Sequence, residues 1–145
     1  MASKRSREYL ELKEFFSFFA DRYFGAQNLP PEQRPSAVLE RLETEHPKKA
    51  ASGLRMGIND CVEMSFELDP KEVAKTDELL HGLGILTLSE VRRRFSKKYA
   101  AIVKRGRIRS DAEFYLIRNV LGDPTIESPG EREALEKMVD DYEGV

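Results

Sequence analysis

The stretch Ser110-Asp111-Ala112-Glu113-Phe114-Tyr115-Leu116-Ile117-Arg118-Asn119-Val120-Leu121-Gly122 contains a complete helix signal from start to stop. Ser110 offers a hydroxyl to the free N–H groups of a first turn, and Glu113, three residues on, can reach back to the cap's own N–H. Phe114, Ile117 and Leu121 then recur at helical spacing, and Gly122 follows where a left-handed residue ends a helix at low steric cost.

The same grammar repeats on both sides. Asp69-Pro70-Lys71-Glu72 and Ser128-Pro129-Gly130-Glu131 each place a capping oxygen first and a Glu three residues later. Both add proline at the first helical position, where its missing donor does no harm. Thr87-Leu88-Ser89-Glu90 is a weaker copy, and Gly25, Gly82 and Gly106 are further stops. The signals predict seven helices, near 7–24, 36–46, 48–65, 70–82, 88–105, 111–121 and 129–142. Between them, Gln27 to Pro35 carries Pro30, Pro31 and Pro35 and must be extended or turning, because proline restricts itself and the residue before it. Leu83 to Leu88 is apolar but short and glycine-bearing, which suits a connector. No strand, internal repeat or interdomain linker is apparent, so the expected fold is all-α, a single-domain bundle over residues 1–145.

Composition agrees. At 145 residues, 40% apolar and 34% charged, with 9 Gly, 7 Pro and no Trp, the chain has the material for one ordinary core. Charges interrupt every apolar run well short of the roughly 18 residues a membrane span needs. The opening is also unlike a secretory signal, because Glu11, Lys13 and Glu14 break its apolar character. A cytoplasmic protein with no membrane partner is expected. One cysteine, Cys61, cannot close an internal disulfide, and with two histidines it cannot complete a four-ligand zinc site of those residue types. No metal or cofactor is expected.

Two faces stand out. Tyr9, Leu12, Phe15, Phe16, Phe19 and Tyr23 form one broad apolar stripe on the first helix, as a core-facing surface requires. Phe18 falls off that stripe, among Arg7, Glu14 and Arg22, so it meets a second layer of helices or is left for a partner. Farther along, residues 92–109 hold nine Lys/Arg and no Asp/Glu, whereas 110–145 hold three basic and ten acidic residues. On the expected helix 88–105, Leu88, Val91, Phe95, Tyr99, Ile102 and Val103 share one side. Arg93, Arg94, Lys97, Lys104 and Arg105 share the other, with Arg107 and Arg109 just past Gly106.

A seven-cation surface of this kind suits a partner protein's carboxylates or a nucleic-acid backbone. It could equally be neutralised by the acidic segment that follows. Neither aromatic stacking platforms nor a glycine-rich loop accompanies the cations, so any nucleic-acid signal is electrostatic alone. Glu113 is a candidate partner for Arg107 or Arg109, fixing the turn between two helices.

Catalytic patterns are missing from the sequence. His46 and His81 stand at helix ends, where a dipole or cap explains them. Cys61 shares the apolar side of the third helix with Leu54, Ile58 and Val62, as a packed thiol would. The carboxylates of Glu43 and Glu45, and of Asp140 and Asp141, belong to charge-rich helices and face apart or outward. The expectation is a protein that is not an enzyme.

Leu12-Lys13-Glu14-Phe15-Phe16 running into Asp21-Arg22-Tyr23-Phe24-Gly25, then Ser36-Ala37-Val38-Leu39-Glu40-Arg41-Leu42, a long third helix and Glu78-Leu79-Leu80-His81-Gly82-Leu83-Gly84, resembles small helical immunity proteins of contact-dependent growth inhibition systems. The resemblance spans residues 10–90. It stops short of the basic segment, and the aspartate such proteins tend to carry shortly after their Tyr-Phe pair is replaced here by Gly25-Ala26-Gln27-Asn28. It implies a non-catalytic binding protein that occludes the active site of a cognate toxin domain. The competing reading is a nucleic-acid-binding or regulatory domain that uses the basic segment 92–109.

Overall fold

The computed structural model describes residues 7–123, 125–126 and 128–144. They form an all-α structure with no strand among the described residues. Its helices are α1 (Arg7–Tyr23), α2 (Pro35–Glu45), α3 (Pro47–Ser65), α4 (Pro70–Gly82), α5 (Leu88–Phe95), α6 (Lys97–Arg105), α7 (Asp111–Leu121) and α8 (Pro129–Glu143). Two single 3-10 turns, Ala26–Asn28 and Pro31–Gln33, lie in the proline-rich loop.

One expectation needs correction. The basic helix expected over 88–105 is two helices, broken at Ser96, whose backbone is extended at φ −79° and ψ 122°. Ser96 serves both halves: its N–H donates to the Arg92 carbonyl at 2.8 Å to finish α5, and its Oγ accepts from the Tyr99 N–H at 3.1 Å to start α6. The hydroxyl competes successfully for backbone donors that a continuous helix would have used.

The caps legible in the sequence are present, but the carboxylates expected to reach back to them are used elsewhere, Glu90 on Arg94, Glu113 on Arg105 and the Arg109 N–H, and Glu131 on Arg93 and Tyr99. The side chains of Thr87, Ser110 and Ser128 accept from the N–H groups of Glu90, Glu113 and Glu131, and Asp69 accepts from Lys71. At the other end of α6, Gly106 has φ 82°, a left-handed conformation that side chains rarely adopt.

The chain divides into two compact units, 1–64 and 65–145. In the first, the aromatic stripe of α1 buries Leu12, Phe15 and Phe19. Phe19 stacks on three rings, with centroids 5.7 Å from Phe15, 4.6 Å from Tyr23 and 5.6 Å from Phe24. Phe16 lies so close to α3 that a Cβ at Gly57 would stand 2.7 Å from its ring. Glu43 of α2 is buried and ties back to α1, accepting from the Tyr9 hydroxyl at 2.7 Å and from Lys13 Nζ at 3.1 Å. It therefore faces inward while Glu45 is exposed, so the two carboxylates face apart, one of the two placements expected for them.

In the second unit α7 is the central helix, in contact with α4, α5, α6 and α8. Its Leu116, Ile117 and Val120 join Tyr99, Ile102, Ile108, Leu135 and Met138 in one apolar cluster, with Phe66, Phe114 and Leu121 packed on it. Burying each such side chain stabilises the fold by about 1.5–3 kcal/mol. The helix whose start and period are clearest in the sequence is thus the one its neighbours assemble on, although Gly122 ends it with φ −80°, not in the left-handed conformation expected.

Candidate functional site

The seven cations expected to share one surface divide into two groups. Arg93 is turned inward: its guanidinium bonds Glu131 of α8 at 3.1 Å and lies 3.7 Å from Glu90, while its buried Nε has no acceptor. Arg94 pairs with Glu90 along α5. Arg105 forms a two-toothed pair with Glu113 at 2.8 and 3.1 Å. The Glu113 hydrogen bonds hold Arg105 in its charged form above the usual guanidinium range, and the same contacts pull the Glu113 carboxyl below its own. Glu113 also accepts from the Arg109 backbone N–H at 2.8 Å. The expected side-chain partner, Arg107 or Arg109, is therefore replaced by Arg105, with Arg109 contributing only its main chain.

Lys97, Lys104, Arg107 and Arg109 remain, all exposed, and their side chains form no ion pair among the described residues. On α6 the exposed positions Lys97, Ala100, Val103 and Lys104 put apolar atoms between two free ammonium groups, and Val103 is 45% exposed. Phe18, on α1 of the first unit, is half-buried.

Sequence reasoning did not single out Arg92. It is only 3% exposed; its Nε donates to Ser65 Oγ at 3.0 Å and its Nη2 to the Ser65 carbonyl at 2.7 Å. Its guanidinium also lies 4.8 Å from the centre of the Phe66 ring, and Lys98 Nζ lies 4.2 Å from the same centre. Burial lowers the Arg92 pKa to about 10, partly offset by the field of Asp77, so the group is still charged at neutral pH. A signal was present: Arg92 is one turn after Leu88, on the apolar side of the helix, where a cation has to be buried or bent away.

Arg92, Lys98 and Arg105 all line a cleft of about 440 Å³ beside α7, whose apolar walls include Phe66, Val73, Ile102 and Leu116. Among the described residues Glu113 is the one carboxylate that lines it. A second hollow of about 410 Å³ lies between α4 and α7 and shares Pro70, Tyr115 and Asn119 with the first. Asn119 closes the ridge between them by donating to the Pro70 carbonyl at 3.0 Å.

A buried polar chain that the sequence did not announce starts at Asp77, on the wall of the second hollow. Asp77 of α4 accepts from both the N–H and the hydroxyl of Ser89. Thr87 Oγ1 donates to Asp123 at 2.6 Å, and Asp123 also receives the Thr125 N–H and hydroxyl. Burial pushes the Asp77 carboxyl up to about 6, with Ser89 pulling the other way. Each of these acids is occupied by a helix start or a turn, which is the chemistry of support.

The remaining polar groups agree with packing and capping. Burial raises the Cys61 thiol to about 12, far from the thiolate a nucleophile needs. His46 and His81 are exposed at helix ends, and the His46 N–H caps α2 on the Leu42 carbonyl. Among the described residues no group of three or more His, Cys, Asp or Glu is placed to hold a metal ion, and no helix is long and apolar enough to cross a membrane. No protein-family model, curated protein or solved structure matches the chain.

Proposed function

We propose that the chain is a non-catalytic protein-binding module, immunity-like, which neutralises a cognate bacterial toxin in the cytoplasm by occluding it. The supporting observation is the exposed face of α6, where Lys97 and Lys104 flank Ala100 and Val103 and have no internal counter-charge among the described residues. Free cations around a small apolar centre match a partner whose acidic rim steers encounter and whose apolar anchor excludes water. Internal neutralisation of Arg93, Arg94 and Arg105 counts against a continuous phosphate-tracking stripe. The unpaired Lys97, Lys104, Arg107 and Arg109 still give the nucleic-acid reading its one favourable feature.

The test is coexpression with toxin domains encoded beside its gene. Growth rescue is expected, and Lys97→Glu with Lys104→Glu should slow complex formation by about tenfold or more at low salt. If growth is rescued from no neighbouring toxin and none copurifies, the proposal fails. Tight, steeply salt-dependent binding to a short DNA or RNA duplex in anisotropy titrations would put the nucleic-acid reading in its place.

A further inference from the structure

Arg92 presents an electrostatic imbalance. A buried cation is costly unless it is paired, yet the hydrogen-bond acceptors it has, Ser65 Oγ and the Ser65 carbonyl, are neutral. A guanidinium carries five N–H donors, and nothing among the described residues accepts from its Nη1. Asp77 is the acid whose field reaches it, but that carboxylate is occupied by Ser89 and does not line the cleft. The cleft into which Arg92 opens carries a second cation, Lys98, over the same Phe66 ring. Its third cation, Arg105, is held in place by Glu113, and that pairing also consumes the only carboxylate on the wall among the described residues. The cavity is therefore positive, with one fixed and unsaturated guanidinium against an apolar wall.

We infer that this cleft binds a small amphipathic carboxylate, its apolar body on Phe66, Ile102 and Leu116 and its carboxylate on the Arg92 guanidinium. The volume of about 440 Å³ lies in the range of small-molecule sites, which are mostly apolar with a few placed polar groups. A carboxylate matches the planar fork of arginine, and the anion would add, on the cleft side, a directly bonded counter-charge to the field that Asp77 exerts from outside the cleft. A compact multivalent anion such as phosphate would leave the apolar wall in water. This site lies beyond the protein-binding reading and does not depend on it.

The full chain is to be titrated with 2-naphthoate and with decanoate by calorimetry, with amide NMR shifts recording where each binds. For ligands of about a dozen heavy atoms, one saturable site with Kd of about 0.01–1 mM is expected. The tighter of the two identifies an aryl or an alkyl body. Replacing 2-naphthoate by 2-naphthamide, or making Arg92→Gln, should weaken binding by about tenfold or more. Ala101→Trp, at an exposed position on the cleft wall, should block it without touching the Ser65 contacts, which covers the case in which the Arg92 variant does not fold. Absence of saturation by both acids at about 5 mM, equal binding of the amide, or undiminished binding to the Ala101 variant would each overturn the assignment.

Discussion

Burial of Asp77 gives the second unit a titration of its own. In the folded chain its carboxyl keeps a proton up to about pH 6, against 3.8 for the free group, mainly because burial disfavours the charge. Below pH 3.8 folded and unfolded chains are both protonated and the group costs nothing. As pH rises toward 6 the unfolded chain loses its proton first, so stability is lost across that window and then levels off. A shift of this size corresponds to about 3 kcal/mol. Asp77→Asn keeps an acceptor for the Ser89 N–H and cannot ionise. Urea denaturation of both proteins at pH 4 and pH 7 is therefore expected to show the variant gaining about that much on the wild type at the higher pH. A difference that does not change with pH would refute the assignment.

Among the helices, local signals and long-range ones part company. The starts at Thr87, Ser110 and Ser128 were legible because each is a contact between residues three apart, complete within the sequence window. The start at Ser96 uses the same contact and was not legible. Lys97, Lys98 and Tyr99 supply no acidic partner for a capping box, and Phe95, Tyr99 and Ile102 continue the apolar period straight across the break. Ser96→Ala removes the acceptor for the Tyr99 N–H and is expected to cost about 1 kcal/mol in thermal or chemical denaturation, as cap removal generally does. A stabilised variant would mean that a continuous helix is the better state and that the Ser96 hydroxyl imposes the break.

Over the whole molecule, the sequence revealed helices and their apolar faces but not which charges are consumed internally. That accounting depends on partners far apart in the chain: Arg93 and Tyr99 both bond Glu131, and Arg92 bonds Ser65. The surplus of cations over 92–109 was plain, whereas the division into paired Arg93, Arg94 and Arg105 and unpaired Lys97, Lys104, Arg107 and Arg109 required the fold. The candidate cleft was hidden for the same reason, since its walls come from the 66–69 connector and from α4, α5, α6 and α7. Only Arg92, a cation in an apolar position, hinted at it.

The buried thiol of Cys61 makes the chain report its own breathing. A thiol with no solvent exposure and its proton held to about pH 12 reacts with a disulfide reagent only when the structure around it opens. Modification of the native chain at pH 8 is therefore expected to run orders of magnitude slower than that of the chain in urea, with a rate that tracks the opening equilibrium. The lone sulfur is thus an internal clock, and anything that clamps the first unit shut, a bound partner included, should slow its ticking.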